Sequence, residues 1–106
     1  MLGKFFQIVF RGDCILVFVV YDISDNGTRS HFIKRLQHFG LRRVQKSVFS
    51  GFLNLSQRLD LASEFDEFLS SEKDSIMLIP TCDSCANSIL TDGELKMPHE
   101  SEYEFL

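Results

Sequence analysis

Apolar residues in the first half of the chain form two patterns: a continuous run typical of a buried strand, and a series at the spacing of a helix. Residues 14–21, "CILVFVVY", form a short continuous run rich in β-branched and aromatic residues, which is typical of a strand buried on both faces. Turn residues "SDNG" come next, and Gly40 suits the position just after a helix. Between them, apolar residues recur at helical spacing: Phe32, Ile33, Leu36 and Phe39. We therefore expect a strand followed by a helix over about residues 27–39.

The second half of the chain predicts a similar series of elements. The stretch "RRVQKSVFSGFLN" alternates in places, which indicates two short strands or one bent strand, with Gly51 at a turn or bulge. Asn54 and Gln57 have the spacing of a capping box, so a helix is expected over about residues 55–70. Its apolar stripe comprises Leu55, Leu59, Ala62, Phe65 and Leu69. "DSIMLIP" predicts another strand that Pro80 limits, and "SILTDGEL" predicts a last edge strand.

The order of these elements is βαββαβ with one further strand, which predicts a fold of the α+β class. We expect the ferredoxin-like arrangement, in which two helices pack on one face of an antiparallel sheet, with an additional C-terminal edge strand. Two helices cover only one face of the sheet, whereas the first strand is apolar on both faces. A homodimer in which two sheets face each other is the simplest way to bury the second face.

Length and composition are those of a single globular domain. The chain has 106 residues, of which 44% are hydrophobic and 25% charged, values that exclude the disordered and collagen-like classes. We expect an N-terminal extension over residues 1–14, a ferredoxin-like domain over residues 15–95 and an acidic tail over residues 96–106. The longest apolar run is far shorter than the ~20 residues that span a bilayer, so no membrane contact is expected. Three cysteines without a secretory signal indicate free thiols and a cytoplasmic location.

Charge is distributed unevenly between the two parts of the chain. Residues 1–60 contain nine Lys/Arg and four Asp/Glu, a net charge of +5, whereas residues 61–106 contain two Lys and eleven Asp/Glu, a net charge of −9. A protein with an overall charge of −4 can therefore present a basic face to phosphate if the fold keeps the two parts separate. The acidic tail is either a solvated terminus or a segment that docks on a basic protein partner.

Two carboxylates, Asp22 and Asp25, stand where the first strand gives way to the first helix. One interpretation is structural: Asp25 or Asn26 caps the helix, and Asp22 accepts hydrogen bonds from turn amides. The other interpretation is a metal site, in which Asp22, its copy in a two-fold-related partner and phosphate oxygens bind a hard cation such as Mg²⁺. The sequence leaves both interpretations open.

A run of basic residues around this turn is either a solvated face or a phosphate-binding edge. Its members are Arg29, Lys34, Arg35, Arg42, Arg43 and Lys46. No recognition-helix or zinc-finger pattern accompanies them, so nucleic-acid contacts are expected with the backbone. Cys82 and Cys85 lack the further ligands of a structural zinc site unless a dimer supplies them, and we interpret them as free structural or loop thiols.

"VVYDISDNGTR", residues 19–29, and "FGLRRVQKSVFSG", residues 39–51, together closely resemble the CRISPR-associated protein 2 family. The family's pattern is an apolar strand ending in Tyr-Asp-Ile, a helix, and then Gly-Leu-x-Arg-Val-Gln-x-Ser-Val-Phe. The resemblance covers roughly residues 15–95, and residues 1–14 depart from it. It implies a ferredoxin-like homodimer in which the strand-end aspartate, Asp22 here, is the catalytic ligand of a divalent metal at the dimer cleft, Mg²⁺ or alternatively Mn²⁺.

The resemblance also implies a function and partners in a prokaryotic cytoplasm. Members of the family are described as metal-dependent endonucleases acting on single-stranded RNA or double-stranded DNA, and they work with the CRISPR integrase to insert new spacer DNA. Arg29 matches a family arginine, Arg43 the arginine before Val-Gln, and Phe49 the motif phenylalanine. Together with Arg42 and Lys46 from the basic run, the two arginines are expected to contact nucleic acid. Two alternative functions are a non-catalytic adaptor that bridges integrase dimers on DNA and a ferredoxin-like RNA-binding or regulatory module.

Overall fold

The structure, a computed structural model, describes residues 14–98. Its strands and helices follow the predicted order as far as the fourth strand. They are β1 (Ile15–Asp22), α1 (Asn26–His38), β2 (Arg42–Gln45), β3 (Val48–Leu53), α2 (Leu55–Ser63), a 3₁₀ turn (Phe65–Phe68), β4 (Ser75–Thr81) and α3 (Asp83–Ala86). The predictions for residues 1–13 and for residues 99–106 of the tail lie outside the described residues. Within residues 14–98, none of the helices has the length and apolar character needed to cross a membrane.

The four strands form one antiparallel sheet in the order β2-β3-β1-β4. Because β3 lies between β1 and β2, the unit β1-α1-β2 is a split βαβ, and β4 completes the sheet on the other side of β1. β1 is therefore a central strand, which agrees with its continuous apolar sequence. The predicted α+β fold of the ferredoxin-like type is confirmed.

Side chains of β1 alternate between two environments. Val17, Val19 and Tyr21 are buried on the helix side and are at most 3% exposed, whereas Phe18 and Val20 are half-buried on the other side of the sheet. We call this second side the open face. Its partly covered or exposed apolar side chains are Phe18, Val20, Val48, Phe52, Met77 and Ile79. The prediction that β1 is apolar on both faces is confirmed, and the second copy that would cover the open face stays a prediction.

Phe32 of α1 is the centre of the core between the helices and the sheet. It is fully buried, and its ring centroid lies 5.4 Å from that of Tyr21, 5.9 Å from that of Phe65 and 5.2 Å from that of Phe68. Phe65 and Phe68 are three residues apart in the 3₁₀ turn, a spacing that brings both side chains to the same side. The predicted helix over residues 55–70 is too long: the α-helix ends at Ser63, and the two phenylalanines that contact Phe32 lie in the 3₁₀ turn that follows.

Both long helices begin at the predicted capping residues. Asp25 is the N-cap of α1, and Asn54 is the N-cap of α2. Asn54 and Gln57 form the predicted capping box, since each side chain accepts the backbone N–H of the other residue, at 2.8 and 2.9 Å. Gly40 follows α1 with φ +86°, a left-handed conformation that glycine adopts without a Cβ clash. The predicted ends of the first helix are confirmed to within one residue.

Gly51 lies inside β3, and the prediction that it forms a turn or bulge is wrong. The turn between β2 and β3 falls at residues 46–47, and the irregular register lies within β2. A Cβ on Gly51 would lie 2.7 Å from Leu41 Cδ2 and 3.2 Å from the carbonyl oxygen of Gly40. The absence of a side chain is required because the segment that follows α1 packs directly on β3.

The chain after β4 does not form the predicted additional edge strand. Cys82 is the N-cap of α3, which lies against β1, and residues 87–98 contain neither a helix nor a strand. Because the helical turn takes the chain toward β1, residues 88–95 do not continue beside the β4 edge. Gly93, at φ +89°, interrupts the segment further.

Candidate functional site

Asp22 is the last residue of β1 and lies on the open face at one end of the sheet. Strand alternation places its side chain on the same side as those of Phe18 and Val20, and the residue opposite it in β4 is Ser75. Asp22 is exposed, and among residues 14–98 no hydrogen bond or ion pair uses its carboxylate. The predicted metal ligand is therefore accessible and has no intramolecular partner in the described part of the chain.

Asp25, three residues further on, has a structural role. Its Oδ2 accepts hydrogen bonds from the backbone N–H and the hydroxyl of Thr28, both at 2.8 Å. The hydrogen bond from the Thr28 backbone is the main reason that the pKa of Asp25 is lowered. The prediction that Asp25 caps the helix is confirmed, whereas the prediction that Asp22 accepts turn amides is wrong.

Asp74 accepts the turn hydrogen bonds that were expected at Asp22. Its Oδ1 accepts the backbone N–H of Ser24 at 3.1 Å and the Ser24 hydroxyl at 2.9 Å. Three further donors are the Ser70 N–H at 2.9 Å, the Ser70 hydroxyl at 3.0 Å and the Ser71 hydroxyl at 3.0 Å. These hydrogen bonds, above all the one from the Ser70 amide, hold the pKa of Asp74 well below its usual range. Asp74 thereby joins the loop after β1 to the loop before β4.

Asp74 is not among the functional residues predicted from the sequence. The local signal was present in "SSEKD", residues 70–74, because serine hydroxyls and an aspartate a few residues apart commonly close a turn on each other. The contact with Ser24 had no signal, since that residue is 50 positions away.

Arg29, a residue of α1, stabilises the loop after β1 through hydrogen bonds. Its Nη1 donates to the backbone carbonyl of Ile23 at 2.8 Å, and its Nη2 donates to the side-chain oxygen of Asn26. Ile23 directly follows Asp22 and is buried. Two of the five guanidinium donors of Arg29 are therefore used on the protein itself, and the others remain for a phosphate.

The turn between β2 and β3 lies against the same end of β1. The Tyr21 hydroxyl and Arg43 Nη1 both donate to the carbonyl oxygen of Lys46, at 3.3 and 2.8 Å. The Tyr21 backbone N–H donates to the Ser47 carbonyl at 3.1 Å. Burial raises the pKa of Tyr21, and the positive charges of Arg43 and Arg29 act in the opposite direction. Both arginines therefore lie near the end of β1 that carries Asp22.

The basic residues of β2 and the following turn that are predicted to contact nucleic acid have different surroundings. Arg43 lies over the ring of Phe49, with its Cζ 5.1 Å from the ring centroid, so stacking and the hydrogen bond to Lys46 both orient it. Arg42 and Lys46 are exposed. Arg42 lies opposite Ser50 on the open-face side of the edge strand β2. The structure brings Arg43 and Lys46 together and places Arg42 on the other side of the sheet.

Arg35 belongs to the same basic run but is part of the scaffold. Its guanidinium donates to both oxygens of Glu64, at 2.7 and 2.8 Å, and this ion pair joins α1 to the end of α2. The paired hydrogen bonds raise the pKa of Arg35 and lower that of Glu64. Arg35 is therefore engaged with a carboxylate rather than presented to phosphate.

One chain does not assemble a metal site from its described residues. Within residues 14–98 no group of three or more His, Cys, Asp or Glu side chains is arranged to hold a metal ion. Asp22 contributes one exposed carboxylate, whereas Asp25 and Asp74 use their oxygens on amide and hydroxyl donors. Further oxygen ligands for a cation at Asp22 would have to come from elsewhere, for example from a second copy, a nucleic acid or water, since residues 14–98 supply no group of three such side chains.

Comparison with known proteins identifies the family. The model of the family described as CRISPR associated protein Cas2 matches residues 15–89, which contain all four strands and Asp22. The chain belongs to the Cas2 family. The resemblance carried by residues 19–29 and 39–51 is thus confirmed.

Two archaeal relatives illustrate the similarity in sequence to other Cas2 proteins. CRISPR-associated endoribonuclease Cas2 1 of Archaeoglobus fulgidus is 38% identical over 94 residues, which cover 87% of this chain and 100% of that protein. CRISPR-associated endoribonuclease Cas2 of Korarchaeum cryptofilum is 34% identical over 73 residues, 69% of this chain and 78% of that protein. The match therefore extends over most of both chains in each case.

Solved structures show the same fold. A hypothetical protein from Thermus thermophilus superposes with a TM-score of 0.69 and 27% identity, covering 81% of this chain and 99% of that one. Cas2 of Streptococcus pyogenes superposes with a TM-score of 0.63 and covers 74% of this chain and 100% of that one. Because the identity to the Streptococcus pyogenes protein is only 23%, this similarity supports the fold alone.

Proposed function

We propose that this Cas2 protein is a metal-dependent endonuclease that hydrolyses phosphodiester bonds in single-stranded RNA or double-stranded DNA. The carboxylate of Asp22 carries the proposal: it is exposed and unpaired in the described chain, although Asp74 and Arg29 hold the loop that follows it. A carboxylate that is held in place but not used by the protein is suited to bind a cation. The names of the Archaeoglobus fulgidus and Korarchaeum cryptofilum relatives, both endoribonucleases, support the same activity.

Two copies of the chain complete the site in this proposal. Met77 and Ile79 on the open face are 55% and 39% exposed, and covering such apolar surface favours association. Asp22 lies on the same face at the end of β1. A two-fold contact between open faces would therefore direct the carboxylates of both copies into the interface.

The residues have separate parts in the proposed reaction. The two Asp22 carboxylates would hold Mg²⁺ or Mn²⁺, hard cations that take oxygen ligands and commonly retain water. When bound, such an ion offsets charge on the reacting phosphate and lowers the pKa of a bound water. Arg43 and Lys46 bind the phosphate backbone at one side of the sheet and Arg42 at the other, while Arg29 keeps the Asp22 loop in place.

The proposal extends to the cellular role through membership of the Cas2 family. The protein would act in CRISPR adaptation, together with the CRISPR integrase, in the cytoplasm of a prokaryote. The basic groups of the β2–β3 turn would then hold spacer DNA during integration.

A non-catalytic adaptor is the second candidate function, and one observation favours it. Within residues 14–98 no group of three or more His, Cys, Asp or Glu side chains is placed to hold a metal ion. Binding of the DNA backbone by Arg42, Arg43 and Lys46 requires no metal. In this alternative the dimer holds DNA between integrase units, and Asp22 has no catalytic part.

Cleavage assays on an Asp22→Asn variant separate the two functions. Labelled single-stranded RNA and double-stranded DNA are incubated with wild type, Asp22→Asn and Asp25→Asn, each with Mg²⁺, with Mn²⁺ and with EDTA. We expect metal-dependent cleavage by wild type and by Asp25→Asn, because asparagine caps a helix as well as aspartate does. Asp22→Asn is expected to lose cleavage while it still binds DNA. Wild type that binds DNA without cleaving either substrate would favour the adaptor function, whereas metal-dependent cleavage that survives in Asp22→Asn would rule out Asp22 as the required ligand.

Equilibrium sedimentation tests the proposed dimer independently of catalysis. A charge placed on the open face by Ile79→Glu is expected to shift a dimer toward monomer, since the carboxylate would be buried in the interface. The matched control is Leu59→Glu on α2, which replaces an apolar side chain that is 62% exposed outside the open face. Monomeric wild-type protein at micromolar concentration, or equal effects of the two variants, would contradict an open-face dimer.

A further inference from the structure

Cys82 and Cys85 are exposed free cysteines, and none of the functions proposed above uses them. They lie where β4 ends and α3 begins, with Cys82 as the N-cap of α3 and Cys85 three residues later. The backbone N–H of Cys85 donates to Cys82 Sγ at 3.5 Å, and Cys82 Sγ lies 3.8 Å from Ser84 Oγ. A single helical turn therefore brings two solvent-accessible thiols next to each other.

We propose that Cys82 and Cys85 form a redox-active dithiol that cycles between two free thiols and an intramolecular disulfide. The geometry favours this assignment, because Cys82 follows β4 as the N-cap of α3 and its Sγ lies 3.5 Å from the backbone nitrogen of Cys85. A metal site is less well supported, since no third His, Cys, Asp or Glu ligand joins them among residues 14–98.

The two thiols differ in acidity in a way that assigns their roles. The Cys85 backbone N–H, above all, lowers the pKa of Cys82, whereas the interaction with Cys82 raises the pKa of Cys85. The thiolate is the nucleophile in thiol–disulfide exchange. Cys82 is therefore the attacking residue, and Cys85 is the residue that resolves the mixed disulfide.

The oxidant in the proposed cycle is a low-molecular-weight disulfide, such as oxidised glutathione. The Cys82 thiolate attacks one sulfur of that disulfide, forms a mixed disulfide and releases one glutathione thiolate. Cys85 then gives its proton to solvent and attacks Cys82 Sγ, which releases the second glutathione thiolate. The protein loses two electrons and two protons, and the small disulfide gains the two electrons.

The dithiol is remote from the proposed nuclease site. The residue before Cys82, Thr81, pairs with Leu16 near the start of β1, and its hydroxyl donates to the Leu16 carbonyl at 2.8 Å. Asp22 is at the other end of the same strand, roughly 20 Å away at the usual rise per residue. The proposed redox role of the dithiol therefore does not depend on the proposed nuclease function, and its test requires no nuclease activity.

Mass spectrometry of the full chain after equilibration in glutathione redox buffers tests the proposal. Acid quenching, alkylation and trypsin digestion yield a peptide of residues 74–96, which contains Cys82 and Cys85 but not Cys14. As the buffer becomes more oxidising, we expect this peptide to escape alkylation and to become lighter by two hydrogen atoms. Cys85→Ser should stop at a Cys82–glutathione mixed disulfide. Cys14→Ser, the matched control, should still form the intramolecular disulfide.

Alkylation rates provide a second measurement on the reduced protein. At neutral pH iodoacetamide should modify Cys82 several-fold faster than Cys85, because the thiolate reacts. Four results would overturn the proposal: both thiols persisting in oxidised glutathione, disulfides forming only between molecules, equal alkylation rates, or protection of both thiols by added Zn²⁺ with a stoichiometry of one ion per two chains. The last result would assign the pair to a metal site shared by two copies.

Discussion

The carboxylate of Asp74 is bonded to both the backbone N–H and the hydroxyl of Ser24, 50 residues earlier in the chain. Ser24 lies two residues after Asp22, so this contact determines where the chain goes as it leaves β1. The same carboxylate also accepts hydrogen bonds from Ser70 and Ser71. Asp74 is therefore the residue that holds the loop of the candidate site against the rest of the fold.

Replacing Asp74 by asparagine should lower the stability of the protein. An amide nitrogen cannot accept a hydrogen bond, and each oxygen of Asp74 accepts one backbone N–H, so Asp74→Asn loses the hydrogen bond from the amide of Ser24 or of Ser70. We expect a lower midpoint of thermal unfolding. The matched control is Asp60→Asn on α2, because no hydrogen bond in the described chain uses that carboxylate. Equal midpoints for the two variants would contradict the role assigned to Asp74.

The same residue should give stability a pH dependence in acid. The pKa of Asp74 is lower in the folded protein than in the unfolded chain, where an aspartate has a pKa of about 3.9. Its contribution is therefore present above that pH and is lost as the pH falls toward the folded pKa. In denaturant titrations below about pH 4, wild type should lose stability more steeply than Asp74→Asn. Parallel curves for the two proteins would show that another group is responsible.

Replacing Asp22 by asparagine should leave stability almost unchanged. The Asp22 carboxylate is exposed and makes no hydrogen bond or ion pair within residues 14–98, so the substitution removes no intrachain contact there. We expect the free energy of unfolding to change by no more than about 0.5 kcal/mol in the absence of added metal. Urea titration measures it. A much larger loss would mean that Asp22 has a structural partner, and a loss of cleavage in that variant would no longer identify a metal ligand.

Replacing Gly51 by alanine should destabilise the protein by about 1–3 kcal/mol, the usual range for overpacking a core. The new Cβ would meet Leu41 Cδ2 at 2.7 Å and backbone atoms of the same segment at 3.2–3.3 Å. The matched control is Gly27→Ala in the first turn of α1, where the nearest atom is Asp25 Oδ2 at an ordinary 3.5 Å. Alanine there should be neutral or stabilising by up to about 1 kcal/mol. Urea titration of both variants checks the contrast, and equal effects would contradict the close packing on β3.

Removing a basic side chain near the β2–β3 turn should weaken DNA binding in a salt-dependent way. Arg42→Ala and Lys46→Ala should each raise the dissociation constant for double-stranded DNA of any sequence. Each should also reduce the slope of log affinity against log salt by about 1, the value for one phosphate contact. Lys96→Ala, which removes a lysine outside this region, is the control. Unchanged slopes in the two variants would make these cations a solvated surface.

The sequence by itself determined the elements whose causes are local. The capping residues Asp25 and Asn54, the left-handed Gly40 and the continuous apolar run of β1 each act within a few positions, and the structure has all of them as predicted. The two motifs around Asp22 and Arg43 were enough to identify the family. Hydrogen bonds to neighbouring amides and the period of apolar residues need no knowledge of the remaining chain, which is why these predictions succeeded.

Only the tertiary structure decided the features that depend on contacts between distant segments. Gly51 is required by the approach of Leu41, and the 3₁₀ turn after α2 carries two phenylalanines that pack on Phe32 from α1. In the sequence Arg35 resembles the other basic residues, and only its contact with Glu64 in the fold distinguishes it. Asp74 likewise resembles the other acidic residues, and only its contact with Ser24 distinguishes it. Side chains of one type have the same local pattern whether they face solvent or a partner, and the difference arises only when the folded chain brings the partner within bonding distance.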